Sequence, residues 1–218
     1  MKPVGVVLSG CGVFDGSEIH EAVLTLLFLD RSNIPYQCLA PDMAQREVVN
    51  YLTGKPMEEK RSVLLEAARI ARGNIKNTAE VSADDFSALI FPGGFGAAKN
   101  LCDFAYKGKD CAIEPSVLHL AKAMARAKKP LGFICIAPVM APKIFDGPVQ
   151  VTIGNDKDTA AAIEAMGGRH APCPVDNIVV DQENKVVSTP AYMLAQSIKE
   201  AAAGIERLVA EVVAMAKS

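Results

Sequence analysis

The chain has 218 residues, half of them hydrophobic, which is enough apolar material for one fully cored domain spanning residues 1–218. Its formal net charge of −2 shows no general basicity, so nucleic acid is not expected as a partner. No stretch reaches the roughly 18 to 20 uncharged apolar residues of a membrane-spanning helix, and the amino terminus lacks a signal-peptide layout. We therefore expect a cytoplasmic protein with no membrane partner.

The first strand pattern, Val4 to Leu8, runs into a flexible turn and then a helix. Asp15 or Ser17 is expected to cap this helix, and with Asp15 as cap, Glu18 takes the capping-box position. The predicted inner face has helical spacing and comprises Ile19, Ala22, Val23, Leu26 and Leu27. Glu18 and Glu21 lie off that face, so both carboxylates should project from the top edge of the sheet.

Residues 36–40 read as a second strand, and a helical insertion is predicted over about residues 43–76. The strongest part of the insertion is Glu58 to Arg72, where an apolar stripe runs between charges. Its charged face is either simply solvated or forms a lid or a dimer contact.

The third strand, Ala88 to Phe91, is followed at once by Pro92-Gly93-Gly94-Phe95-Gly96. Tandem glycines after a buried strand permit unusual backbone shapes and let amide N–H groups face a ligand. The loop is therefore either a tight turn or an oxyanion-binding loop.

Cys135 follows the buried strand pattern Leu131 to Ile134, and Pro138 then starts a new element. Ligands of open α/β sheets bind at the carboxyl ends of the strands, and a helix start should lower the pKa of a thiol. We therefore interpret Cys135 as a nucleophile. Cys11, between two glycines after the first strand, is a candidate to line the same cleft.

The remaining segments continue the alternation of strands and helices. A helix is predicted over residues 114–128, a strand at 149–153, a helix at 158–166, a hairpin at 178–187 and a final helix that opens at residues 189–192 and runs to about 216. This order predicts an α/β fold, a three-layer α/β/α sandwich around a mostly parallel sheet.

The sequence offers two carboxylates but no obvious histidine as proton acceptor for the thiol. Ile136 directly follows Cys135, where a Cys–His pair would have its histidine. A carboxylate in an apolar cleft has a raised pKa and can act as a general acid or base near neutrality. Glu18 and Glu21 are the candidates, although either could serve only the helix dipole. His20 is expected to point away from both.

Four motifs together resemble the ElbB glyoxalases, also described as isoprenoid (lycopene) biosynthesis enhancing proteins with an amidotransferase-like domain. The motifs are Leu8-Ser-Gly-Cys-Gly-Val-Phe-Asp-Gly-Ser-Glu-Ile-His-Glu21, Phe91-Pro-Gly-Gly-Phe-Gly-Ala-Ala-Lys-Asn100, Gly132-Phe-Ile-Cys-Ile-Ala-Pro138 and Thr189-Pro-Ala-Tyr-Met-Leu-Ala-Gln196. The resemblance covers essentially the whole chain. It extends to the class I glutamine amidotransferase-like superfamily, with its PfpI proteases, glyoxalase III enzymes and protein deglycases.

This resemblance implies a flavodoxin-like sandwich with Cys135 at a nucleophile elbow. It implies that Glu21 contacts the nucleophile, with Glu18 one turn earlier, and that the amides of Gly93, Gly94 and Ile136 bind the oxyanion. The histidine that protease and amidotransferase relatives carry after the nucleophile is missing, which argues against peptidase and glutaminase activity.

The expected function is a glyoxalase III-like, glutathione-independent lyase that needs no cofactor and no metal. It would convert glyoxal or methylglyoxal, a small dicarbonyl substrate, to glycolate or lactate. Deglycation of aldehyde adducts on proteins or nucleotides would use the same residues. A non-catalytic thiol redox sensor or regulatory partner in isoprenoid metabolism remains the alternative from another class. By family analogy the protein is expected to be a homodimer.

Overall fold

The computed structural model describes residues 1–217 and is built on a seven-stranded sheet. From one edge to the other, the strands are β10 (Val179–Asp181), β11 (Val186–Thr189), β7 (Leu131–Ile134), β6 (Ala88–Phe91), β1 (Val4–Val7), β2 (Tyr36–Ala40) and β5 (Ile75–Asn77). Every neighbouring pair is parallel except β10 and β11, which form an antiparallel hairpin. The predicted mostly parallel sheet is confirmed.

Seven α-helices, six short 3-10 or π-helical turns and two small strand pairs complete the described part of the chain. The helices are α1 (Ile19–Arg31), α2 (Val63–Ile70), α3 (Phe104–Lys107), α4 (Pro115–Arg126), α5 (Ala141–Ile144), α6 (Lys157–Ala165) and α7 (Ile198–Lys217). The small pairs are β3 (Val49–Asn50) with β4 (Lys55–Pro56), antiparallel, and β8 (Gln150–Val151) with β9 (Arg169–His170), parallel. Within residues 1–217, no helix is both long and apolar enough to cross a bilayer.

The central strands are buried on both faces, as their continuous apolar runs predict. One face packs against α1, α2 and α7, with Phe28 and Val209 among the contacts. The other face packs against α4, α5 and α6, with Met124 and Ile163 among the contacts. The fold is therefore the expected flavodoxin-like three-layer α/β/α sandwich.

The segment predicted as a helical insertion has a different structure. Within residues 43–76 the α-helix occupies only Val63–Ile70, and residues 49–56 form the β3–β4 hairpin. The segment ends in β5, which pairs in parallel with β2. α2 is thus the crossover helix of a β–α–β unit, because parallel neighbours need such a connection.

The orientation of α1 also differs from the prediction. Ile19, Val23 and Leu27, expected on the inner face, are 42%, 48% and 44% exposed, whereas Glu21 and Thr25 are fully buried. α1 is apolar on several sides, so spacing alone does not select its buried face. The face that turns inward is the one that carries Glu21.

Candidate active site

The sharp turn after β7 presents Cys135 at the carboxyl edge of the sheet. Cys135 has a φ of +61°, in the left-handed region that non-glycine residues seldom adopt. Its backbone N–H donates to the Thr189 carbonyl at 3.0 Å, which holds the residue against β11. Strain of this kind persists only where the surrounding structure enforces it, and it is frequent at active sites. This turn matches the predicted nucleophile elbow.

The Glu21 carboxyl group lies beside the Cys135 thiol and is fully buried. Its Oε2 accepts the Gly93 N–H at 2.9 Å, and its Oε1 accepts the Tyr192 N–H at 3.1 Å. The carboxyl group also interacts with the Cys135 side chain, and each of the two groups shifts the pKa of the other. Of the two candidate carboxylates, Glu21 is therefore the one that contacts the thiol.

Burial controls the protonation of this pair. Desolvation raises the pKa of Glu21 to about 8, against the opposing effect of the Tyr192 and Gly93 N–H groups. Desolvation and the neighbouring charge of Glu21 raise the pKa of the Cys135 thiol well above its ordinary value. The predicted lowering of the thiol pKa is wrong, because burial and the charge of Glu21 outweigh the backbone N–H groups that lower it.

Two backbone N–H groups face the Cys135 sulfur, those of Gly94 and Ile136, and both favour its thiolate form. Gly94 has a φ of +90°, and a Cβ there would lie 2.3 Å from the Glu18 nitrogen, so only glycine fits. Gly93 was also predicted as an oxyanion donor. Its N–H is already bonded to Glu21, so Gly93 positions the carboxylate instead.

Glu18 begins α1 rather than touching the thiol. It is the N-cap residue, and its Oε2 accepts the Glu21 N–H at 2.7 Å. The predicted caps have other partners: Asp15 accepts hydrogen bonds from the Val49 N–H and the Tyr51 hydroxyl, both at 2.8 Å, and the Ser17 hydroxyl accepts the Ser9 N–H. Glu18 thereby fixes the first turn of α1, which carries Glu21.

A cavity of about 300 Å³ opens over Cys135. Its lining combines apolar side chains with a few polar ones and consists of Val13, Glu18, Gly94, Phe95, Cys135, Ile136, Asp156, Thr159, Tyr192 and Met193. This volume lies at the lower end of the range for small-molecule sites. Small substrates are therefore favoured.

His20 lies at the edge of the cavity over Cys135. No histidine in residues 1–217 lines the cavity. Tyr192 does line it, and His20 Nδ1 lies 2.9 Å from the Tyr192 hydroxyl oxygen. His20 was expected to point away. It is half exposed and contacts the cavity wall through Tyr192 without reaching Cys135.

Cys11 lies outside this cavity. It lines a separate cleft of about 700 Å³ together with Tyr51, Arg61 and Arg69. The turn after β1 directs the Cys11 side chain toward α2, a direction that the sequence pattern did not predict. Cys11 is thus not among the residues gathered around Cys135.

Several lining residues were missed by sequence reasoning. Tyr192 was placed at the start of the final helix, but it lies in a 3-10 turn, and α7 begins only at Ile198. Asp156 caps α6 by accepting the Thr159 N–H at 2.8 Å. The signal that could have identified both was their position shortly after strands, at the edge where Cys135 lies. Within residues 1–217, no group of three or more His, Cys, Asp or Glu side chains is arranged to hold a metal ion.

Known proteins share both sequence and fold with this chain. A rat protein named ES1 protein homolog, mitochondrial, is 47% identical, over 96% of this chain and 82% of the rat protein. The human glutamine amidotransferase-like class 1 domain-containing protein 3, mitochondrial, is also 47% identical, over 96% of this chain and 81% of the human protein. No family model matches the chain.

Solved structures give the same result. An isoprenoid biosynthesis protein with an amidotransferase-like domain from Ehrlichia chaffeensis superposes with a TM-score of 0.90 at 36% identity, covering 97% of this chain and 99% of that one. A point mutant of Schizosaccharomyces pombe DJ-1 superposes with a TM-score of 0.57 at 18% identity, covering 100% of this chain and 97% of that one, and so shares the fold alone.

The sequence relatives correct one prediction and establish the family. The expected cytoplasmic localisation is contradicted, because the rat, human and zebrafish relatives are all named as mitochondrial proteins. The resemblance to amidotransferase-like isoprenoid biosynthesis proteins holds at the level of the superfamily. The chain belongs to the ES1 family of class 1 glutamine amidotransferase-like domain proteins.

Proposed function

We propose that the protein is a cofactor-independent glyoxalase that converts glyoxal or methylglyoxal to glycolate or lactate. The observation that carries the proposal is the fully buried Glu21 carboxyl group beside the Cys135 thiol, which lines a small cavity. A thiol nucleophile needs a group that takes and returns its proton. Glu21 is in position to do both.

The reaction begins with addition of the thiol to the aldehyde carbon. Cys135 sulfur bonds to that carbon while Glu21 accepts the thiol proton. Glu21 then returns this proton to the former carbonyl oxygen, which gives a hemithioacetal and restores the carboxylate. The N–H groups of Gly94 and Ile136 stabilise the negative charge that develops on the former carbonyl oxygen. One such donor is typically worth about 2.7 to 4 kcal/mol of transition-state stabilisation.

Glu21 then moves a proton between the two carbons of the substrate. It removes the proton from the carbon bonded to sulfur, giving an enediol, and a proton is returned to the neighbouring carbon. The product of this step is a thioester of Cys135. Water hydrolyses the thioester, releases the hydroxy acid and restores the thiol, so one dicarbonyl and one water yield one acid.

The protonation of the pair favours this scheme over a peroxide-sensing thiol at Cys135. Thiolate is the form that reacts with peroxides, and burial raises the pKa of Cys135. A thiol that loses its proton only when a neighbouring base accepts it is better suited to a positioned carbonyl substrate. The cavity volume of about 300 Å³ fits such a substrate.

The test is to incubate the protein with methylglyoxal, without glutathione or added metal, and to quantify lactate. Wild type should form lactate, and Cys135→Ala should lower the rate by more than about 10³-fold with an unchanged circular dichroism spectrum. Cys38→Ala is the matched control, because Cys38 is also buried but lies in β2. The proposal fails if wild type forms no lactate or if Cys135→Ala retains the activity.

A further inference from the structure

A second pair of cysteines lies away from the Cys135 cavity. Cys102 and Cys111 are 2% and 4% exposed, and both lie on the segment that leaves the Gly93–Gly94 loop, turns through α3 and returns to α4. The two arms of this turn are paired. The Asp103 N–H donates to the Ala112 carbonyl at 3.1 Å.

The pairing places both thiols on the same side of the turn. Cys102 lies directly opposite Ile113 in an antiparallel bridge. Cys111 precedes Ile113 by two residues, and residues two apart on an extended arm face the same way. The two side chains are accordingly diagonal neighbours, and the thiols interact with each other.

The contacts of the two sulfur atoms define their roles. The Cys102 thiol also donates to the Ala97 carbonyl at 3.3 Å, and Cys111 Sγ lies 3.8 Å from Met166 Sδ. The neighbouring Cys102 side chain and the positive charge of Lys143 lower the pKa of Cys111, against the opposing effect of burial. Cys111 is thus the thiol more readily converted to its nucleophilic form.

A small oxidant has a route to Cys102, whereas Cys111 does not line the cavity that gives this access. A surface cavity of about 410 Å³ is lined by Cys102 and by the neighbouring Asp103, Ala112 and Ile113. This volume is much larger than a peroxide. The cavity shares no lining residue with the one over Cys135, so the two thiol sites need not compete for access.

We propose that Cys102 and Cys111 form a reversible disulfide when the protein meets a hydroperoxide. The thiolate of one cysteine attacks the peroxide oxygen, the O–O bond breaks, and a sulfenic acid forms with release of water or an alcohol. The thiol of the other cysteine then displaces the hydroxyl group of the sulfenic acid, which forms the S–S bond and releases water. Two thiols are oxidised by two electrons, and the peroxide is reduced.

The bond would join the ends of a ten-residue loop, from Cys102 to Cys111. Cys102 ends the single π-helical turn Ala97–Leu101, which directly follows the glycine loop of the Cys135 site. Within that turn, the Asn100 amide donates to the carbonyls of Ser9 and Asp15, both at 2.9 Å. Oxidation would therefore tether the segment that supports the glycine loop.

The sequence makes the bond easy to detect. Lys107 and Lys109 lie between the two cysteines, so trypsin separates them into the peptides Asn100–Lys107 and Asp110–Lys122. The wild-type protein is treated with hydrogen peroxide, alkylated, digested without reductant and analysed by mass spectrometry. We expect these two peptides as one cross-linked species, lighter by two hydrogen atoms than their sum, which dithiothreitol separates.

Matched variants assign the bond. Cys102→Ala and Cys111→Ser should each abolish the cross-linked species, whereas Cys38→Ala and Cys135→Ala should retain it. The proposal is overturned if peroxide-treated wild type leaves both thiols free for alkylation, if either cysteine accumulates as sulfinic acid without the cross-link, or if either is bonded to a different cysteine. Because wild type alone gives these outcomes, a variant that fails to fold does not obscure the result.

Discussion

The Cys135–Glu21 pair is the residue-scale feature on which the proposed chemistry depends. The carboxyl group lies in a fully buried position that raises its pKa to about 8, yet its two oxygens accept the N–H groups of Gly93 and Tyr192. These two bonds fix its orientation toward the sulfur. The charge of Glu21 in turn raises the pKa of the Cys135 thiol, so the ionisation of one group affects that of the other.

The raised pKa of Glu21 predicts how the reaction depends on pH. Below about pH 8 the carboxyl group holds its proton and is unable to accept one from the thiol. As pH rises toward 8, the ionised fraction grows about tenfold per pH unit, so kcat/KM for methylglyoxal should rise with it and then level off. The measurement is initial lactate formation from pH 5.5 to 9.

Glu18→Gln is a second test of this profile, because the charge of Glu18 contributes to the raised pKa of Glu21. The rising limb in that variant should move to lower pH. A wild-type profile that is flat or falling between pH 6 and 8 would contradict the assignment of Glu21 as the base.

At the scale of elements, the site depends on how closely β1, β6 and β7 bring their following turns together. A Cβ at Gly93 would lie 2.4 Å from the Cys135 Cβ and 2.6 Å from Glu21 Oε2. The glycine loop after β6 therefore approaches both members of the pair. The motif Pro92-Gly93-Gly94 indicated a close approach, but only the fold shows that its two glycines have different partners.

Gly93→Ala should separate the thiol from the carboxyl group. We expect kcat to fall by about 100-fold, and the free energy of unfolding to fall by about 1 to 3 kcal/mol because the site is overpacked. Both can be measured on one preparation, by lactate formation and by urea denaturation.

Gly147→Ala is the matched control, since a Cβ there meets nothing within 4 Å. It should change neither quantity measurably. Wild-type activity in Gly93→Ala would show that the close packing of the loop is not needed for the reaction.

Segments whose residue pattern fits only one structure were predicted correctly from the sequence. Segments whose pattern fits two structures were not. The run Leu131 to Ile134 is apolar throughout and fits only a doubly buried strand, which is β7. α1 is apolar on several sides, and the predicted inner face was wrong because the buried position of Glu21 runs against hydrophobic periodicity. An ionisable side chain that turns inward is invisible to a pattern based on polarity.

The segment 43–76 shows that the structure of a connecting segment is also difficult to predict from local sequence. The helix around Val63–Ile70 was predicted from its residue pattern. The strands of the hairpin before it have two residues each, and the edge strand β5 after it has three. Such short strands carry no period of their own and form through pairing with distant residues. Their existence depends on β2 and on the turn after β1, which local sequence does not encode.

At the scale of the whole molecule, α7 supports the sheet edge that carries Cys135 and Thr189. Gly204 lies where α7 crosses this edge, and a Cβ there would be 2.4 Å from Thr189 Oγ1 and 2.7 Å from the Val175 carbonyl oxygen. The final helix therefore packs on β11 at backbone contact distance. The homodimer expected from family analogy stays a prediction.

Gly204→Ala should lower the free energy of unfolding by about 1 to 3 kcal/mol, because the helix must move away from the sheet. Ala210→Ser, at an exposed position of the same helix, should change it by less than about 0.5 kcal/mol. Urea denaturation measures both. Equal stability of Gly204→Ala and wild type would contradict the close contact of α7 with β11.

The most direct test of the central claim is whether Cys135 and Glu21 act as one unit. It compares kcat/KM for methylglyoxal, without glutathione or metal, in wild type, Cys135→Ala, Glu21→Gln and the double variant. Because the thiol and its base serve one step, each single variant should lose more than about 10³-fold, and the double variant should lose no more than Cys135→Ala alone. Losses that multiply in the double variant, or substantial turnover by Glu21→Gln, would contradict the thiol–carboxylate mechanism.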